Sequence, residues 1–190
     1  MRLFFDTETT GLPRNYKAPA SDIHNWPRMV QIAWLMLDDD GQEVASAEHI
    51  IRPDGYTIPR EAANVHGITT ELALAKGEAL DVVLDAFAVD LGASSSLVAH
   101  NISFDERIVG AEFVRAGRPN MLETKTRHCT MKASTNLCRL PGPYGYKWPT
   151  LTELHMHLFG EPFTDAHNAL ADVRACARCY VELQQLRLMA

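Results

Sequence analysis

Only four cysteines occur in this 190-residue chain, and of these only Cys176 and Cys179 form a C-x-x-C pair. A structural zinc site needs a second pair at ligand spacing, and Cys129 and Cys138 do not make one, so neither bound zinc nor a disulfide framework is expected. Long apolar runs are missing as well. No stretch approaches the roughly 20 residues of a membrane span. The apolar start at residues 1–5 meets Asp6 and Glu8 before the core of a signal peptide can form. A soluble, cytoplasmic protein with no membrane partner is the expectation. Positive charge is also in short supply, because 18 Lys and Arg against 24 Asp and Glu leave a formal net charge of -6. That balance excludes a protein that grips long duplex nucleic acid by neutralising its phosphates. Internal repeats and low-complexity segments are absent.

What is present suits one domain, 1–190, since a hydrophobic content of 46% over this length can bury a proper core. Residues 3–8 read as a short strand broken by Gly11 and Pro13, followed by a polar, Pro-rich loop to Pro27. Strands are expected at 29–37 and 44–51, making an antiparallel meander. Leu80, Leu84, Phe87 and Leu91 mark one face of a helix over 78–91, stopped by Gly92. A brief buried strand at 97–99 leads into Ser103-Phe104-Asp105-Glu106, a capping-box pattern opening another helix. A second box, Thr150 with Glu153, starts a helix that Gly160 and Pro162 close, and the last helix begins near Asn168 with the stripe Leu170, Val173, Ala177, Tyr180 and Leu183. The class that follows is α/β, a mixed sheet covered by helices.

Charge is unevenly spread. From Arg107 to Lys147 lie eight basic residues (Arg107, Arg115, Arg118, Lys125, Arg127, Lys132, Arg139, Lys147) against two acids, Glu112 and Glu123. That split suits a short strand whose end reaches an acidic metal site past a basic wall.

The acids carry the chemistry. Residues two apart in a strand share a face, so Asp6 and Glu8 present paired carboxylates with Thr7 pointing the other way. Such a pair repels itself unless a cation lies between, and oxygen-only ligands favour Mg²⁺ or Mn²⁺. Asp105 lies just past a buried strand, where open α/β sheets place their ligands. Asp172 follows His167 by five residues, which on a regular helix of about 3.6 residues per turn would set the side chains about 140° apart. Both face one site only if His167 precedes the helix, and Asn168, a preferred N-cap, allows that. His155 and His157 point different ways on one helix and need no ligand role.

The runs Phe5-Asp6-Thr7-Glu8-Thr9-Thr10-Gly11-Leu12, Asn101-x-x-Phe104-Asp105 and His167-x-Ala169-x-x-Asp172 resemble, in order, the three motifs of the DEDDh (DnaQ-like) 3′-5′ exonuclease family. The likeness is closest to the proofreading epsilon subunits of bacterial DNA polymerase III and their free-standing relatives, and His66-Gly67-Ile68-Thr69 resembles a further family segment. The resemblance spans nearly the whole chain and implies a ribonuclease H-like fold. It also implies two divalent cations, Mg²⁺ or Mn²⁺. Asp6, Glu8 and Asp172 would hold the cation that carries the attacking water, Asp6 would bridge to the second, Asp105 would support the site partly through water, and His167 would be the general base. Thr7, Thr9, Thr10, Gly11, Leu12, His66, Asn101 and Phe104 are the candidate substrate-binding residues.

The activity implied is release of nucleoside 5′-monophosphates from 3′ ends of single-stranded or frayed DNA, with a DNA polymerase as a conceivable partner. The alternatives are trimming of RNA ends, a non-catalytic nucleic-acid or polymerase-binding module on the same fold, and a metal-dependent endonuclease of related fold. Polymerase-associated members commonly continue past the last helix into a polymerase-binding tail; none is expected here, and together with a loop 15–28 that is long for the family this argues against a polymerase-bound proofreading role.

Overall fold

The computed structural model describes residues 1–164 and 168–189. Three antiparallel strands open the chain: β1 (Arg2–Thr9), β2 (Met29–Leu37) and β3 (Glu43–Ile50). Two short helices follow, α1 (Arg60–His66) and α2 (Thr70–Lys76), and then the longer α3 (Leu80–Ala93). The crossover through α3 returns the chain to β4 (Ser96–Ala99), which pairs parallel to β1, and α4 (Ile102–Arg115) leads on through a 3-10 turn to β5 (Thr126–Cys129), parallel to β4. α5 (Thr130–Cys138), a two-residue-strand hairpin of β6 (Pro141–Gly142) and β7 (Gly145–Tyr146), α6 (Leu151–Phe159) and α7 (Ala169–Gln185) complete the order. The main sheet runs β3-β2-β1-β4-β5.

Burial on both faces explains the central strands. Leu3 and Phe5 of β1 point to one side, where Phe87 of α3 and Ile108, Val109 and Phe113 of α4 pack, while Phe4 points to the other, against Val173 and Tyr180 of α7. Every residue of β2 is buried. β3, at the edge, instead mixes Glu43, Ser46, Glu48 and His49 with apolar residues, a composition that protects an unpaired edge. Aromatic rings lock the first layer, with the Phe87 ring centroid 5.9 Å from Phe5 and 5.3 Å from Trp34. No helix among the described residues is long and apolar enough to cross a membrane.

Two helix boundaries differ from the sequence reading. α3 passes through Gly92 and ends at Ala93, where the Ser94 amide donates to the Asp90 carbonyl and its hydroxyl to that of Leu91. A polar cap one residue on thus sets the stop. Nor does Ser103 cap α4. That helix starts at Ile102, its N-cap Asn101 sits in the left-handed region at φ 71°, the Ser103 hydroxyl donates to Asn101 Oδ1, and Glu106 turns outward to Arg127. The Thr150–Glu153 box, by contrast, forms in full, and Gly160 closes α6 in a left-handed turn. All four cysteines are free thiols.

The long loop after β1 is tied down from α4. Glu112, fully buried, accepts through Oε1 from the Met29 amide at 2.9 Å, from Arg28 at 3.0 Å and from Arg115 at 2.9 Å. Arg115 in turn donates to the carbonyls of Ile23 and Trp26 at 2.5 and 2.6 Å. Glu112→Ala would leave two guanidinium groups without their shared partner, and it is expected to cost about 3–5 kcal/mol. Glu112→Gln should lose less, since its oxygen still accepts from Met29. Urea denaturation of both variants measures this, and a loss below about 1 kcal/mol for the alanine would show that the loop is anchored by something else.

Candidate active site

The acids gather where the parallel strands end. Asp6 and Glu8 lie in the last half of β1, on the α7 side, and the first turn of α7 supplies Asp172, one residue before the buried Val173. Docking of Val173 and Tyr180 on Phe4 therefore fixes where Asp172 stands. Its carboxylate and those of Asp6 and Glu8 each bring an oxygen within 4.8 Å of the others. Asp105 approaches from the first turn of α4, almost wholly buried, and is held by Thr7: the Thr7 amide donates to Asp105 Oδ1 at 3.1 Å and the Thr7 hydroxyl to the same oxygen at 2.7 Å. Thr7 does point away from Asp6 and Glu8, and its amide is engaged by an acid rather than free for a nucleotide. His167 lies outside the described residues.

The electrostatics of this cluster are lopsided. Burial pushes Glu8 up to about 8, with the charges of Asp172 and Asp105 adding to the shift. Asp105 rises to about 7, again through burial, although the two hydrogen bonds from Thr7 pull it back. Asp6 is raised well above its ordinary value by burial and by Asp105, Asp172 and Glu8 together. Among the described residues, no cationic side chain contributes to the balance at Asp6 or Glu8. A set of hard oxygen donors that cannot all ionise without added positive charge fits divalent cations.

Beside Glu8 a cavity of about 600 Å³ opens, lined by Thr7, Thr9, Thr10, Gly11, Leu12, His66 and Phe104. Seven of the eight substrate-binding candidates thus line one cavity, while Asn101 sits apart as the N-cap of α4. The strand leaves the sheet here through a register slip between Glu8 and Thr9 and a turn at Gly11, whose φ of 149° only glycine adopts without strain. Leu12 is left 75% exposed, over the cavity mouth. His66 accepts the Ile68 amide on Nδ1 at 3.1 Å, and burial lowers its pKa, so its proton sits on Nε2. Pro59, Ala62 and Val65, on and just before α1, also line the cavity and were not anticipated. α1 buries no residue, so it has no apolar stripe to betray it, and the only signal was the His66-Gly67-Ile68 segment at its C-terminal end.

The basic run does not make a single wall. Arg107 donates to the Ala18 carbonyl, Arg115 to Ile23 and Trp26, and Lys125 to the Ser94 carbonyl, while Arg118 pairs with Asp81 and Asp85, Arg127 with Glu106 and Lys147 with Glu153. Most of these charges brace loops and helix ends.

Because Glu8 titrates at about 8 when folded, against an ordinary glutamate value of 4.5, the metal-free folded protein holds a proton that the unfolded chain has lost throughout that window. Stability without metal must then fall as pH rises from about 5 to 8. Mg²⁺ should reverse the fall by binding only the folded form. Neutralising one acid, as in Glu8→Gln, should raise Tm at alkaline pH in chelator by about 2–4 °C, or about 1 kcal/mol for a domain of this size. Thermal melts across pH with and without chelator decide this, and a flat metal-free profile would mean that the acids do not strain the fold.

Comparison with known proteins matches the architecture. Residues 3–180 fit the family model RNase_T, described as exonuclease. An uncharacterized exonuclease, CP81, of Escherichia phage 186 is 27% identical over 178 residues, covering 91% of this chain and 82% of the phage protein. Among solved structures, exonuclease I superposes with a TM-score of 0.77 at 24% identity, over 98% of this chain. A zinc-ion-bound form of the E. coli exonuclease I complex with single-stranded DNA superposes at 0.74 and 24% identity, also over 98%. The chain spans only 42% and 41% of the length of those two structures. The fold is ribonuclease H-like, the enzyme class is a phosphodiester-hydrolysing nuclease, and the chain belongs to the RNase_T exonuclease family within the DnaQ-like 3′-5′ exonucleases.

Proposed function

We propose that the chain removes nucleoside 5′-monophosphates one at a time from the 3′ end of single-stranded or frayed DNA, with two divalent cations, Mg²⁺ or Mn²⁺, at the acidic cluster. The observation that carries this reading is the convergence of Asp6, Glu8 and Asp172 within 4.8 Å, with Asp105 braced by Thr7 and a nucleotide-sized cavity alongside. Asp6, Glu8 and Asp172 would hold one cation, Asp6 would be shared with the second, and Asp105 would support it. Bound there, the cations supply positive charge that lowers the pKa of the attacking water and stabilises the leaving 3′-oxygen.

The remaining work falls to the chain. Leu12, Val65 and Phe104 present apolar surface to the terminal base and sugar, a contact that recognises an unstacked end without reading its sequence. Backbone groups around Thr9 to Gly11 orient the last phosphodiester over Glu8, and His167 takes the proton from the attacking water. The E. coli exonuclease I complexes with single-stranded DNA support DNA as the strand.

Digestion of matched DNA and RNA oligonucleotides, labelled at either end, with Mg²⁺, with Mn²⁺ and with chelator, tests the reading. Stepwise loss from the 3′ end of the DNA is expected, and cleavage of a circular strand would contradict it. Asp6→Ala, Asp105→Ala and Asp172→Ala should each abolish most hydrolysis in folded protein, and near-normal activity in any one would remove the two-cation assignment. His167→Ala should lose about 10²- to 10⁴-fold in rate while still binding metal and DNA. An unchanged rate at saturating metal would reduce His167 to a structural residue.

A further inference from the structure

Three of the four most exposed aromatic side chains among the described residues lie within five positions. Tyr144 is fully exposed, Tyr146 is 52% and Trp148 61% exposed, and only Tyr16 elsewhere compares. They ride on the β6–β7 hairpin, in which Pro141 faces Tyr146 and Gly142 faces Gly145, and the Lys147 amide closes it onto the Leu140 carbonyl. Trp148 precedes Pro149, which biases it towards extended backbone. Trp148 follows Tyr146 by two residues, just past the end of β7. Tyr144 stands at the turn.

Charge and position narrow what this element can meet. No Asp or Glu occurs between Glu123 and Glu153 in a chain of net charge -6, whereas Lys125, Arg127, Lys132, Arg139 and Lys147 all lie in that interval, with Lys132 and Arg139 exposed beside the hairpin in sequence. The segment that leaves the hairpin is tied to the end of β4. The Pro149 carbonyl is 2.9 Å from His100 Nε2, and His100 Nδ1 is 2.9 Å from the Thr130 hydroxyl at the start of α5. His100 lies two residues beyond Val98, the partner of Phe4, as Asp6 lies two beyond Phe4 itself. The residue next to Trp148 is therefore bonded to the strand end that delivers Asp105.

We infer that Tyr144, Tyr146 and Trp148 form a stacking platform for the single strand upstream of the 3′ end held at the acidic site. This rests on the exonuclease reading given above. Unpaired bases stack on exposed rings regardless of sequence, the exposed Lys132 and Arg139 suit their phosphates while Lys147 is engaged by Glu153, and a duplex has no free base faces to offer. The hairpin would thus set how long a strand must be to bind well, without taking part in hydrolysis.

Fluorescence reads the contact directly, because Trp26 and Trp34 are 3% and 1% exposed and Trp148 alone of the three tryptophans meets water. The full chain in chelator is titrated with an oligothymidylate about 12 nucleotides long, within the about 4 to 16 that single-strand sites span. Duplex DNA and a thymidine dinucleotide serve as comparisons. The long strand should quench the exposed emission, duplex and dinucleotide should not, and Tyr144→Ser with Tyr146→Ser should weaken the quench. In Mg²⁺, Tyr144→Ser with Trp148→Ser should raise KM for the long strand about tenfold, with kcat and dinucleotide cleavage unchanged. Unaltered Trp148 emission at high strand concentration, or an unchanged ratio of long to short KM, would overturn the platform. If the wild-type chain cleaves neither length, the catalytic reading falls, while the metal-free titration still decides the platform.

Discussion

Repulsion among buried carboxylates is the constraint around which this molecule is arranged. Four acids from three separate elements are carried to one end of the sheet, and burial with mutual charge pushes Asp6, Glu8 and Asp105 towards their neutral forms. A site that resists its own assembly has to be built on parts that do not yield. Here those parts are a central strand buried on both faces, with Leu3 and Phe5 under α3 and α4 and Phe4 under α7, so that no acid can relax outward without unpacking an aromatic or aliphatic neighbour.

The same demand shapes the periphery. Arg107 and Arg115, rather than greeting a polyanion, are bound to carbonyl oxygens of the loop after β1, and Glu112 joins Arg115 and Arg28 to the Met29 amide at the start of β2. That clamp holds Trp26 at 6.4 Å from the Phe104 ring, which in turn forms one wall of the cavity beside Glu8. Net acidity with locally engaged basic groups leaves substrate recognition to apolar and backbone surface rather than to bulk charge.

Much of this was legible in the sequence, for reasons that vary by element. β2 and α7 announce themselves because burial on one or both faces imposes an apolar pattern, and the Thr150–Glu153 cap because its geometry is local. The acids at 6, 8, 105 and 172 could be gathered from strand periodicity and from their resemblance to known motifs. α1 and α2, seven residues each, escaped because they bury almost nothing. α5 escaped because its buried side includes Thr130, Ser134 and Cys138 rather than a run of leucines, and β5 because it is a four-residue edge strand carrying Arg127 and His128. Ser103 misled because a local capping pattern competes with Asn101, whose left-handed backbone starts the helix earlier. The fate of the basic side chains is a tertiary matter that no local pattern encodes.

The grip of Thr7 on Asp105 limits what that acid can offer. A carboxylate oxygen has two lone pairs, and the Thr7 amide and hydroxyl both point at Oδ1. Oδ2 is the oxygen left over, so in the proposed cation site Asp105 would offer a single oxygen rather than both. In that site, a strand threonine would thus limit what a helix aspartate can offer, and through it how much room is left for water and the scissile phosphate.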